Sequence, residues 1–225
     1  MRADPCRPRP VDPRTGTTFG GVIRTRGDAQ LELTEGLANF YIGAGYDAYN
    51  GEQMEQNREF EFGAGGAYPV YRSGTDELRG GLELIYFGYG KNLRYFTLAQ
   101  GGYFSPQSYF AARIPVTYTS RGENLTWSVG ASLGVQNYKE DSSPVFPQNA
   151  ALQSQLVALA ANDPTVVTAY PSQSQSGVVG GATGSFEYNI DPALRVGGLF
   201  SFDKAGDYNE TRALLYARYI FNGKQ

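Results

Sequence analysis

The sequence contains no histidine and a single cysteine, Cys6. Without histidine there is no Ser-His-Asp or Cys-His apparatus and no imidazole-ligated metal centre. With one cysteine no intrachain disulfide can form. No apolar run approaches the roughly 20 residues of a transmembrane helix, and the opening MRADPCRPRPVDPRTG has no apolar segment of the kind a signal peptide carries. If the protein is exported, its signal is expected on sequence outside this chain. Positive charge is not in excess: the formal net charge is −3, so the basic face of a nucleic-acid partner is missing. Val, Ile and Leu are modest in number, which makes a conventional aliphatic core thin.

What the sequence holds instead is 29 glycines, 17 tyrosines and 13 phenylalanines, set in segments that alternate apolar and polar residues. Leu37–Asp47 puts Phe40, Ile42, Ala44 and Tyr46 on one face and Asn39, Tyr41, Gly43 and Gly45 on the other. Arg58–Tyr71 does the same, with Phe60, Phe62, Ala64 and Tyr68 opposite Glu59, Glu61, Gly63 and Gly65. In Thr126–Tyr138, Trp127, Val129, Ala131, Leu133 and Val135 face away from Ser128, Gly130, Ser132, Gly134 and Gln136. A period of two marks β-strands. Further strands are predicted at Thr17–Arg26, Ala29–Glu35, Leu78–Tyr89, Ser108–Thr119, Ser176–Tyr188, Leu194–Asp203 and Thr211–Phe221, about ten in all. Residues 1–16 read as a disordered leader, and Ala150–Ala161 as a short helix within a long insertion at 139–175. No crossover helix separates neighbouring strands, so sequential antiparallel pairing is expected.

Three features predict an all-β antiparallel up-and-down transmembrane β-barrel segment over 17–222 rather than a soluble sandwich. The second face is Gly, Ser, Thr and Tyr with scattered charge, which suits a polar lumen. Connections alternate between long and short: long at 48–57, 90–107 and 139–175, moderate at AGDYNE, and short at RSGTDE, TSRGEN and NIDPA. Barrels of the outer membrane have short periplasmic turns and longer extracellular loops. The third is the end of the chain, where TRALLYARYIF alternates and closes on aromatic-x-aromatic. The negative mean hydropathy is compatible with this, since only one face of each strand meets lipid. Ten strands with a ragged start suggest the C-terminal part of a wider barrel.

The polar candidates on the lumen face are Glu59, Glu61, Arg113, Arg195, Arg212 and Arg218. Ion pairs that stiffen the wall are the favoured reading over groups that guide a passing solute. Glu59 and Glu61 as a glycosidase pair are poorly supported, being two acids at i, i+2 on one strand with no cleft. No enzymatic activity and no cofactor are expected. Glu140, Asp141 and Asp163 could hold Ca²⁺, yet show no EF-hand spacing.

The densest stretch is Asn92–Gln107, NLRYFTLAQGGYFSPQ, with Tyr95, Phe96, Tyr103, Phe104 and, just beyond it, Tyr109. It is too irregular for a strand and too apolar for a solvated loop, so it reads as an ordered loop packed over a pore mouth. Gly101, Gly102 and Pro106 read as backbone devices of that loop.

NLRYFTLAQGGYFSPQSYF, with the upstream LELIYFGYGKN, the downstream SLGVQNYKEDSSPVFP and the closing LLYARYIF, resembles the C-terminal domain of the cellulose synthase operon protein C family. The resemblance covers roughly residues 17–222. It implies a location in the cell outer membrane, in contact with its lipid, as the last part of a barrel of about 16 strands. That barrel would pass a cellulose chain, a linear β-1,4-glucan, delivered from the cellulose synthase complex through upstream periplasmic tetratricopeptide repeats. Tyr95, Phe96, Tyr103, Phe104 and Tyr109 are candidates to contact the polysaccharide, since sugar C–H faces pack on aromatic rings and non-specific stacking suits a polymer that slides. An aromatic plug fixing the loop's own fold is the favoured reading of these rings. A general outer-membrane porin and a soluble carbohydrate-binding β-domain are the competing functional classes.

Overall fold

The computed structural model describes Val11, Gly16, Thr18 and residues 20–206 and 208–221. Apart from Val11 and Gly16, the expected leader at 1–16 lies outside the described residues. Strands β1 (Gly20–Glu35), β2 (Ala38–Glu52), β3 (Asn57–Ser73), β4 (Asp76–Tyr89), β5 (Ser108–Arg121) and β6 (Leu125–Glu140) come first. An insertion follows, holding the two-residue strands β7 (Ser143–Pro144) and β8 (Ala169–Tyr170) on either side of helix α1 (Ala150–Ala160). Strands β9 (Gln173–Asn189), β10 (Leu194–Ala205) and β11 (Tyr208–Tyr219) complete the chain. The main sheet has nine strands in the order β1-β2-β3-β4-β5-β6-β9-β10-β11, and every neighbouring pair is antiparallel. It is an up-and-down meander that skips only the insertion.

Three strand boundaries differ from the sequence reading. The stretches 17–26 and 29–35 form one strand: Gly27 and Asp28 stay in the ladder opposite Tyr46 and Gly45, and Arg26 Nε donates to Asp28 across the step at 3.0 Å. Nine long strands therefore stand where ten were expected. The loop expected at 48–57 shrinks to 53–56, because Tyr49 and Asn50 remain paired with Arg24 and Ile23. AGDYNE is a tight hairpin around Gly206, whose φ of 60° is open to glycine, with Ala205 and Tyr208 already paired. The connections at 36–37, 74–75, 122–124 and 190–193 share one end of the sheet, while 90–107 and 141–172 lie at the other. The asymmetry read from the sequence thus rests on two long loops.

One face of the sheet is apolar throughout. Across the strands, Ile42, Ala64, Leu84, Ala112, Val135 and Val178 follow one another in register. These side chains do not form a core: Leu133 is 66% exposed, Val178 64% and Phe60 63%. A water-soluble monomer rarely leaves so wide an apolar patch bare. Along β5 this face reads Phe110, Ala112, Ile114, Val116, Tyr118, an apolar stretch bounded by rings that is about 26 Å long at 3.3 Å per residue. Among the described residues no helix is long and apolar enough to cross a membrane.

The other face is concave and polar. Tyr41 on β2 donates to Glu83 on β4 at 3.1 Å, and Arg26 on β1 meets Glu61 on β3 at 2.8 Å. Arg113 on β5 comes within 3.8 Å of Asp203 on β10, three strands away. Three strand spacings span about 14 Å on a flat sheet, so this contact needs both a long side chain and a curled wall. The few buried apolar residues, Tyr49, Met54, Leu93, Ala99, Tyr109 and Tyr138 among them, collect at the long-loop end of this face.

Candidate functional site

Glycine opens the paths along which the polar side chains meet. Gly45 lies between Arg26 and Glu61, Gly65 beside the Tyr41 ring, and Gly197 beside Tyr216. At Gly197 a Cβ would sit 2.5 Å from the Tyr216 hydroxyl, in the space through which Tyr216 donates to Glu187 at 3.0 Å. Alternating glycine with long polar side chains lets some charges find a partner two strands away, as Arg26 does Glu61 and Arg218 does Glu187. All six polar candidates lie on this face and are ion-paired. Glu61 meets Arg26; Arg113 meets Glu83 at 3.5 Å; Arg195 and Arg218 meet Glu187 at 3.2 and 2.6 Å; Arg212 meets Glu210 at 2.5 Å.

Glu59 belongs to the densest group. Arg24 grips Asp47 with Nε and Nη2 at 2.9 and 2.6 Å, and Arg26 reaches Asp47 at 3.4 Å. Glu59 accepts from the Tyr49 hydroxyl at 2.5 Å and lies 3.8 Å from Arg24. The carboxylate oxygens of Asp47, Glu59 and Glu61 come within 4.8 Å of one another. Two guanidinium groups already neutralise most of that charge, so the geometry is that of an ion-pair network. The other three acids considered for Ca²⁺ have separate partners: Glu140 meets Arg94, Asp141 meets Lys139, and Asp163 accepts from Thr165.

The loop 90–107 folds inward over the upper end of the polar face. Tyr103 stacks on Tyr49 with ring centres 5.0 Å apart and planes 16° apart, and also touches Tyr89. Phe87 stacks on Tyr109 at 4.4 Å, and Phe104 meets Tyr109 and Tyr138 edge-on. Tyr49, Phe87, Tyr89, Tyr109 and Tyr138 all occupy polar-face positions of their strands, so these rings form a continuous shelf beneath the loop. Backbone bonds fix the fold of the loop: Gly101 N and Gly102 N both donate to Leu93 O, and Leu93 N donates to Ser105 Oγ at 2.8 Å. Gly102 takes φ of 66°, as expected of a backbone device; Gly101 instead lies where any Cβ would enter the Tyr103 ring. Pro106 is buried, and its carbonyl accepts from Tyr89 N at 2.8 Å.

Both flanks hold the loop down. Glu55 N donates to Ala99 O on one side. On the other, Tyr95 stacks on Tyr170 at 3.5 Å, Gln100 bonds Ser143 and Pro144, and Arg94 meets the fully buried Glu140 carboxylate at 2.8 Å. Burial pushes the Tyr103 phenol up to about 12, with the nearby Glu59 charge adding to it. Burial also raises Tyr95, again with help from a carboxylate, Glu140. Of the five aromatic candidates, Tyr103, Tyr95, Tyr109 and Phe104 are engaged with other rings, Phe104 while 40% exposed, whereas Phe96 is 78% exposed.

Sequence reasoning missed the shelf residues Tyr49, Phe87, Tyr89 and Tyr138, and the ties Arg94–Glu140 and Tyr95–Tyr170. Strand parity would have found Phe87 and Tyr89. Tyr49 was hidden by its assignment to a loop, and the two ties are contacts between distant segments with no local signal.

Residues 10–222 match the family described as Cellulose synthase operon protein C C-terminus. The chain is 38% identical over 214 residues to a cellulose synthase operon protein C of Komagataeibacter xylinus, covering 93% of this chain and 16% of the relative. It is 31% identical to the protein of that name from Xanthomonas axonopodis pv. citri, covering 94% of this chain and 15% of the relative. With that of Salmonella typhimurium the figures are 30%, 94% and 18%. The chain thus spans about one sixth of the length of the curated relatives it matches.

Proposed function

Since the chain belongs to the family of the cellulose synthase operon protein C C-terminus, which ties it to cellulose synthesis, we propose that it forms part of an outer-membrane channel through which a linear β-1,4-glucan leaves the cell. The apolar face meets lipid and the concave polar face lines the path. In lipid an unpaired sheet edge is untenable. The edge strands β1 and β11 run in the same direction and have no outer neighbour among the described residues. Antiparallel closure therefore calls for an odd number of further strands, as a barrel of about 16 would supply. The chain performs no chemistry of its own in this reading, and upstream periplasmic repeats and the synthase complex deliver the polymer.

The observation that carries the reading is the placement of loop 90–107. It is braced over the polar face at the long-loop end, with Phe96 largely exposed and Phe104 partly so. Sugar C–H faces pack on such rings without fixed hydrogen bonds, which suits a polymer that must slide. The buried rings, Tyr103 foremost, hold the loop, so the aromatic plug and the stacking platform are different residues of one stretch. The test is Phe96→Ala with Phe104→Ala in the full-length protein. Secreted cellulose is expected to fall while the barrel still assembles; unchanged secretion with normal assembly removes the loop from the export path. Equal permeation of unrelated small solutes before and after the change would favour a general porin.

A further inference from the structure

At the short-turn end of the sheet, Asn124, Asn189, Ile190, Asp191, Pro192 and Arg195 line a recess of about 450 Å³, within the range of small-ligand clefts of about 300–1,000 Å³. Its wall comes from two adjacent turns, 122–124 and 190–193, clipped together by Asn189 N donating to Asn124 O at 2.8 Å. Neither the exposed Asn124 side-chain amide nor the half-buried Asn189 amide has a hydrogen-bond partner among the described residues. Asp191 uses a single oxygen, Oδ1, to cap Ala193 N and Leu194 N at 2.7 and 2.8 Å. Arg195 gives Nη1 to Glu187, yet its Nε is buried and without a partner among the described residues. A buried N–H without an acceptor is costly and uncommon in folded proteins, and a ligand oxygen would satisfy it.

We propose that this recess is a saccharide subsite at the mouth of the channel, binding the hydroxyls of a β-glucan unit as the chain enters. It rests on the export reading for the direction of travel. Two amides, a guanidinium N–H and a free carboxylate oxygen present both donors and acceptors, the complement of vicinal hydroxyls that each donate and accept. Ile190 and Pro192 supply an apolar wall for the C–H face of the ring. The recess shares Arg195 with the Glu187 cluster, so a sugar bound there touches the first ion pair of the polar face. Entry is then read by hydrogen bonds and exit by stacking.

The test titrates the full-length protein in detergent micelles with cellopentaose, using maltopentaose as the control ligand. Wild-type binding of cellopentaose is expected, and Asn124→Ala with Asn189→Ala is expected to weaken it about tenfold with the circular dichroism of the sheet unchanged. Should the double variant misfold, Asn189→Asp keeps the shape and exchanges the amide donors for a charged acceptor, with loss in the same direction expected. Wild-type binding that survives both variants unchanged overturns the subsite and leaves the export reading standing. No saccharide binding by the wild type also overturns the subsite, while secretion by the full-length protein tests export separately. Equal affinity for maltopentaose overturns the β-glucan assignment but keeps a saccharide site in the recess.

Discussion

Gly134 is the point where the wall tolerates least. It sits on β6 opposite Arg113 of β5. A Cβ built there would fall inside contact distance of the Ala112 carbonyl oxygen and 2.7 Å from Arg113 Cα. Both obstacles are backbone, so no side chain can swing away. To restore ordinary contact the two strands must part by about 1 Å, stretching flanking ladder bonds from about 2.9 to about 3.9 Å, beyond useful hydrogen-bond range. Two such bonds at about 1 kcal/mol each give a loss of about 2 kcal/mol for Gly134→Ala. Gly184 on β9 is the control, since a Cβ there meets nothing within 4 Å. Gly184→Ala is expected to be neutral or to stabilise by about 0.4–1 kcal/mol through the unfolded chain. Both variants, made in the full-length protein and refolded in detergent micelles, are compared by urea unfolding followed by circular dichroism. If Gly134→Ala unfolds within about 0.5 kcal/mol of Gly184→Ala, glycine in this sheet is not set by close strand approach and the account of the polar face fails.

The remaining expectations concern the loop and the two faces. Tyr103→Ala removes the ring stacked on Tyr49 and is expected to raise hydrogen exchange at Gly101 and Gly102 while leaving strand amides protected; unchanged exchange would separate the stack from the loop's order. Glu140→Gln leaves the Arg94 cation without its buried partner, and a loss of about 1–3 kcal/mol in the local opening free energy of the loop is expected by the same exchange measurement. The Tyr103 phenol, at about 12, lies above its unfolded value of about 10, so folding favours the neutral form. Its contribution is intact below about pH 10 and is lost as pH rises through 12; proteolysis of the loop should accelerate over that window, and Tyr103→Phe should abolish that acceleration. Single cysteines on a Cys6→Ser background test the faces: Leu133→Cys should resist a water-soluble maleimide in lipid vesicles, whereas Ser132→Cys, one residue earlier, should label.

The two faces were legible in the sequence because a strand has a period of two, and a ladder preserves it from neighbour to neighbour. Phe40, Ile42, Ala44 and Tyr46 needed no tertiary information to be set on one side. Strand ends were less legible, since Gly27 and Asp28 carry turn chemistry yet remain extended when a long partner such as β2 pairs with them. Tyr49 shows the same effect from the other direction: a polar, asparagine- and glycine-containing stretch continues as strand because its ring is held by Tyr103 and its hydroxyl by Glu59. For the candidate site, composition marked Asn92–Gln107 as unusual but could not divide its rings. That division depends on which rings find partners from β2, β4, β6 and the insertion, and those pairings join residues far apart in the chain.

The polar face resolves a tension in the proposed function. A neutral polymer moving through a wall of fixed, unpaired charges would meet strongly hydrated groups that bind water or ions in preference to sugar. Here the charges neutralise one another, Arg26 with Glu61, Arg113 with Glu83 opposite it and with Asp203, Arg218 with Glu187. Each pair is partly exposed and contributes little to stability singly. Its larger consequence is to hold long side chains flat along the curled sheet. What the middle of the face then offers a hydroxyl is a series of weak, similar hydrogen bonds, with no deep minimum to arrest a chain. In the middle, Arg113 Nε has no hydrogen bond but is buried; the accessible groups left for specific contact lie at the two ends, the Asn124 and Asn189 amides at the turns and Phe96 with part of Phe104 at the loop. Adding charge to the middle should therefore slow export more than a neutral change there. Ser132→Lys, near Arg113 and pointing to the same side, adds a second cation beside the Arg113–Asp203 contact, and secretion by the full-length protein should fall further than with Ser132→Ala. Equal secretion by the two variants would mean that the paired charges do not govern passage.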